Sequence, residues 1–212
     1  MNAWLDVFSL AVVAVAWGVY VIRLRRVLTD NPLRTVPGVS RLARAHWADF
    51  ILADSSRAIL AVQTLRNAIM ASTFLASTAI LLAIGTLNLL EQAQEPQAIW
   101  HLFNFVGSRS HTVWLTKLLL LIANFVVAFF CFALSIRLFL HAGYHVVPEP
   151  NQAAAQRERL TQWLHAAGRY FTLGMRAYYL SVVLIFALFG PILTLLSTGI
   201  VLWIVTRLDR DP

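Results

Sequence analysis

The chain has 212 residues, 59% of them apolar and 13% charged, with a mean hydropathy of +0.69. Soluble domains are about 45–50% apolar and about 25% charged, so this composition excludes an ordinary water-soluble enzyme and a disordered chain and points to an integral membrane protein. The formal charge of +7 arises from 17 basic and 10 acidic residues, and Lys117 is the only lysine among the bases. In a membrane protein such an excess reports topology first, and no nucleic-acid partner is expected.

A helix needs about 20 apolar residues to cross the hydrocarbon core. Four segments qualify, at about 3–22, 68–90, 113–140 and 178–206. The first contains Asp6 and is followed by Arg23, Arg25 and Arg26. Its acidic start and basic flank do not fit a cleaved signal peptide. Residues 23–67 carry eight arginines, residues 91–113 only Arg109 beside Glu91 and Glu95, and residues 137–177 carry five. The positive-inside rule then places 23–67 and 141–177 in the cytoplasm and both termini outside. The aromatic residues follow the same division, with Trp4, Trp100, Trp114 and Trp203 near the outer boundary and Trp17, Tyr20, Tyr178 and Tyr179 near the inner one. The expected fold is an all-α, four-span bundle forming one membrane domain over 1–212, bacterial and in the cell inner membrane.

In the first cytoplasmic segment Ser40 is a suitable N-cap. Val39, Leu42, Ala43, Trp47, Phe50 and Ile51 then recur at helical spacing. This predicts a short amphipathic helix, lying either in the membrane interface or on the protein itself. Asp54 or Ser55 can cap a second helix that runs on to Leu90, about 50 Å in all and longer than the bilayer core. Its small residues Ala68, Ser72, Ala76, Ala79 and Ala83 share one face, suited to the buried centre of the bundle or to an oligomer contact. In the second cytoplasmic segment Asn151 can cap a helix with the stripe Leu160, Trp163, Leu164, Ala167 and Phe171, in which Gly168 and Gly174 are expected breaks. Pro191, after Gly190, is expected to kink the fourth span.

Several strings resemble the uncharacterised membrane protein family called domain of unknown function 599. They are Ala61-Val62-Gln63-Thr64-Leu65-Arg66-Asn67, Met70-Ala71-Ser72-Thr73, Lys117-Leu118-Leu119-Leu120, Ser135-Ile136-Arg137, Arg176-Ala177-Tyr178-Tyr179 and Phe189-Gly190-Pro191. The resemblance covers nearly the whole chain and implies a four-span bacterial or plant membrane protein. It implies no activity, substrate or catalytic residue.

Few residues suggest chemistry. Cys131, alone in an apolar run, reads as a buried thiol. His141 and His145 are four apart and could share a metal, but Gly143 lies between them and the glutamate of a zinc-protease motif is missing. No catalytic, nucleotide or haem-attachment motif occurs, so neither enzymatic activity nor a cofactor is expected. Intramembrane polar residues are functional candidates, yet Asp6, Lys117 and Arg137 all lie near boundaries and only Asn124 is deep. The missing mid-depth carboxylate argues against a secondary transporter. Asp6 is expected to pair with Lys117 or, failing that, with Arg109.

The remaining constellation is Gln63, Arg66, Asn67, Arg137 and Arg176, all at the inner boundary. It could hold an anion, a lipid headgroup or a partner's carboxylate. The favoured expectation is the ordinary positive-inside excess, with at least one of Asp30, Asp49 and Asp54 salt-bridged to Arg66, Arg137 or Arg176. The leading expectation is a non-catalytic membrane protein, a homo-oligomeric scaffold or an accessory subunit among other membrane-protein subunits in the lipid bilayer. The alternative is a channel or carrier for a small anionic solute.

Overall fold

In the computed structural model the described residues are 3–91, 110–148 and 153–210, and every regular element among them is helical. The helices are α1 Ala3–Asp30, α2 Val36–Leu52, α3 Ala58–Glu91, α4 His111–Gly143, α5 Ala153–Ala187 and α6 Pro191–Leu208, with 3-10 turns at Pro32–Arg34 and Ser55–Arg57. Arg109, Glu95, Trp100 and Asn151 lie outside the described residues.

Helix starts follow local chemistry. Asp54 accepts the Ser56 N–H at 2.9 Å, as expected of a cap. α2 begins earlier than Ser40: Thr35 is its N-cap, its hydroxyl accepting the Gly38 N–H at 3.3 Å, with Pro37 in the first turn. α2 packs on the protein itself, burying Ala48 and Ile51 against Leu160 and Leu164 of α5. α5 runs without a break through Gly168 and Gly174. Its glycines serve close packing instead, since a Cβ on Gly174 would stand 2.7 Å from the Phe132 ring.

α4 lies between α3 and α5. The small face of α3 is buried within the chain, where Ala76 and Ala79 meet Ala128 and Phe132. Polar groups inside this stack find backbone acceptors: Asn124 donates to the Ala177 carbonyl at 2.8 Å, Ser135 to Ala167 at 3.0 Å and Tyr178 to Leu75 at 2.5 Å. In low dielectric an unmade bond at these positions would cost the full desolvation of the group.

Among the described residues five helices, not four, are long and apolar enough to cross a membrane, because the expected fourth span is two elements. α5 ends at Ala187, three tight i−3 bonds carry the chain through Leu188, Phe189 and Gly190, and Gly190 takes φ 125°. That left-handed value suits glycine alone, and Pro191, without an N–H, then starts α6. The chain therefore reverses where the sequence suggests only a kink. The turn residues Leu188 and Phe189 pack with Leu10, Trp114 and Leu118, near the start of α1. Beyond the other end of α6, the Asp209 carboxylate accepts from Tyr20 Oη and from Arg176 at 3.2 Å, and its carbonyl accepts the Val36 N–H at 3.1 Å. The start of α1 and the end of α6 thus lie at opposite ends of the bundle, where the expectation put them on one common side. Trp203 moves with α6 to the Asp209 end, where Arg207 lies 5.7 Å from its ring centroid.

At the opposite end Lys117 Nζ meets Asp6 Oδ1 at 2.6 Å, with side chains 4% and 0% exposed. The expected pair is therefore made. Removing one partner of a buried pair strands the other charge, at about 3–5 kcal/mol, whereas replacing both with apolar groups is often neutral. Thermal unfolding in detergent should show a large loss for Lys117→Met alone and recovery of most of it in the Asp6→Leu, Lys117→Met double variant. Equal melting of the single variant and the wild type would contradict a buried pair.

Candidate functional site

At the Asp209 end, the last turn of α1, α2, α3, α4 and α5 surround a cavity of about 810 Å³. Leu28, Ala68, Phe139 and Phe171 supply apolar wall, while Arg41 and Arg44 of α2 and His165, Arg169 and Arg176 of α5 supply the basic wall. Positions 41 and 44 share a face of α2, and positions 165, 169 and 176 share one of α5, by helical periodicity. Two basic stripes therefore face one another across the cavity. Among the described residues, Asp209 is the only carboxylate lining it.

Arg44 lies against the α5 backbone. A Cβ on Gly168 would stand 2.5 Å from Arg44 Nη1 and 2.7 Å from its Cζ, so a glycine is needed for this approach. Burial lowers the Arg44 pKa from its ordinary value, and the neighbouring Arg41 charge lowers it further. The Nε atoms of Arg44 and Arg176 are buried without an acceptor among the described residues. Arg176 is 15% exposed and spends one guanidinium nitrogen on Asp209. His165 Nε2 lies 2.8 Å from the Arg41 carbonyl. A carbonyl only accepts, so Nε2 carries the hydrogen and Nδ1 is the other ring acceptor in the neutral form. The arrangement is rich in donors and poor in acceptors, which suits an oxyanion bound through charge-assisted hydrogen bonds.

Of Gln63, Arg66, Asn67, Arg137 and Arg176, only Arg176 reaches this cavity. Gln63, Arg66 and Asn67 are exposed on α3 and Arg137 is exposed on α4, and none of the four lines the cavity. The expected neutralising carboxylates turn elsewhere. Asp49 pairs with Arg157, whose hydrogen bond holds the Asp49 carboxyl below its ordinary range. Asp54 sits 3.9 Å from Arg57, and its carboxyl is lowered first by the Ser56 N–H. The role given to Asp30, Asp49 or Asp54 falls to Asp209, which the four-span reading had put on the far side. His141 and His145 both pack on Trp163, with ring centroids 5.7 and 4.4 Å away. α4 ends between them, and no metal-binding group of three ligands occurs among the described residues.

Sequence reasoning missed Arg41, Arg44, His165 and Arg169. Their signal was present as the polar faces of α2 and α5, but periodicity does not reveal that two such faces meet. Because Asp209 is the acceptor for both Arg176 and Tyr20, Asp209→Asn should lower thermal stability by about 1.5–3 kcal/mol, the usual worth of a hydrogen bond to a charged group. Tyr20→Phe, which leaves the ion pair in place, should cost less. A melting curve for Asp209→Asn that overlays the wild type would remove the carboxylate from this role.

Neither a comparison with curated proteins nor one with solved structures finds a match. A family model described as a protein of unknown function, DUF599, matches residues 8–212. That span contains both walls of the cavity and the Asp209 latch, and the chain belongs to this family.

Proposed function

We propose that the protein is a non-catalytic, multi-pass protein of the bacterial inner membrane that binds a small oxyanion at its cytoplasmic end. The observation that carries this reading is the cavity itself: four arginines around one carboxylate, with two buried Nε donors lacking an acceptor among the described residues. Orientation supports the cytoplasmic assignment. With α6 reversed, Arg207 and Arg210 join the arginines of residues 23–67 and 137–177 at one end, so the positive-inside bias becomes stronger than in the four-span reading. The other end is filled by Leu118, Leu121, Phe125, Leu184 and Leu188 and carries the Asp6–Lys117 pair, which favours a one-sided binding site over an open pore.

Titration of the detergent-purified protein with inorganic phosphate and with sulfate, followed by calorimetry, tests the proposal. Saturable binding is expected, falling about tenfold or more in Arg44→Gln, since each hydrogen bond to a charged group is worth about 1.5–3 kcal/mol. Gly168→Ala, which pushes the Arg44 side chain away, should weaken binding in the same direction. Wild-type affinity in both variants, or no binding by the native protein, would defeat the reading.

A second reading, as a homo-oligomeric scaffold or an accessory subunit, is favoured by the first turns of α3. There Ile59 is 72% exposed and Val62 52%. α3 is about 51 Å long against a hydrocarbon core of about 30 Å, so these turns project beyond the lipid, where exposed apolar groups call for a partner. In a Cys131→Ala background, Val62→Cys should form disulfide-linked dimers in native membranes. A strictly monomeric product would count against self-association through α3.

A further inference from the structure

A second recess lies on the other side of Asp209. It is a groove of about 960 Å³ between α1 and α6, closed at one end by the Pro32–Arg34 turn and the Thr35–Arg210 bridge. Its α1 wall is a single helical stripe: Ala16, Val19, Tyr20, Arg23, Leu24 and Val27. Facing it on α6 are Leu202, Trp203 and Thr206.

The groove changes in polarity along the helix axes. Leu202 and Trp203 precede Asp209 by about two turns, and Ala16 and Val19 precede Arg23 by about one to two turns, while Arg34 and Arg210 border the groove at the Thr35–Arg210 bridge. It opens sideways, with Val19 44% and Trp203 63% exposed. The three arginines are exposed and form no ion pair among the described residues. The one carboxylate on the wall, Asp209, is already engaged by Tyr20 and Arg176.

We propose that this groove is a site for an anionic diacyl phospholipid of the inner leaflet. Its phosphodiester lies among Arg23, Arg34 and Arg210, and an acyl chain runs along Val19 and Trp203. The match is one of charge and of depth together. Basic groups at the cytoplasmic boundary attract anionic lipid, and the apolar wall continues from them into the hydrocarbon, where a free anion has no reason to extend. The site is separate from the oxyanion cavity. It uses different arginines and stands whether or not that cavity binds phosphate.

Trp203 gives a direct readout. The full-length protein is reconstituted in phosphatidylcholine vesicles containing a minority of lipid brominated on its acyl chains. Trp203 fluorescence is taken as the difference between the wild type and Trp203→Phe. Brominated phosphatidylglycerol should quench Trp203 more than the same fraction of brominated phosphatidylcholine. In an Arg23→Gln, Arg34→Gln variant the preference should fall about tenfold or more. An Arg23→Lys, Arg34→Lys variant, which keeps the charge and controls for folding, should retain most of it. Inorganic phosphate added in excess should leave the quenching unchanged.

Equal quenching by the two lipids would overturn the proposal. So would loss of the preference on adding phosphate, which would identify a free-anion site. Absence of quenching by either lipid, together with cross-linking of Ala16→Cys between copies, would show that a second chain covers the groove and would also overturn it.

Discussion

The arrangement depends on one backbone constraint, the reversal of the chain between Ala187 and Pro191. A positive φ at Gly190 and a proline that cannot continue the α5 hydrogen-bond ladder turn one long apolar run into a helical hairpin. α6 then returns alongside α1, where Val201 and Val205 pack on Val13, Tyr20 and Leu24. The return brings Asp209 beneath α5 and α1, and that placement gives Arg176 its counter-charge.

The two ends of the bundle treat charge differently. At the Lys117 end an acid and a base, Asp6 and Lys117, are buried together as an ion pair. At the Asp209 end arginines outnumber carboxylates, and part of their hydrogen-bonding capacity is unused. A buried matched pair has nothing left to offer a ligand, whereas a donor-rich cavity does. The proposed oxyanion site accordingly lies at the second end. The wall shared by cavity and groove is Asp209, so one carboxylate separates the site read as aqueous from the site read as lipidic.

Much of the fold is legible in the sequence. Hydropathy places the apolar cores of α1, α3 and α4, Asp54 marks a helix start, and the isolated charges Asp6 and Lys117 identify each other because neither can be buried alone. The reversal is not legible for a physical reason. Residues 178–187 are too short to cross a membrane, and they reach sufficient length only as the end of a helix that begins at Ala153, within a segment rich in polar residues. A reading by hydropathy alone therefore joins the two halves into one span and places Asp209 at the opposite end of the bundle from Val36 and Arg176. The candidate site was hidden for the same reason: Arg41, Arg44 and Arg169 read as solvent-facing until two amphipathic helices are known to face one another. Gln63, Arg66 and Asn67 show the converse, candidates by their place near a span boundary that are exposed and do not line the cavity.

The most direct test of the reversal is the sidedness of its two flanks. Single cysteines at Ser56, Ser110 and Arg210, introduced in a Cys131→Ala background, are exposed to a membrane-impermeant thiol reagent in intact cells and again after permeabilisation. Five crossings predict that Ser110→Cys labels in intact cells, while Ser56→Cys and Arg210→Cys label only after permeabilisation. Labelling of Arg210→Cys together with Ser110→Cys in intact cells would restore a straight fourth span and contradict the account.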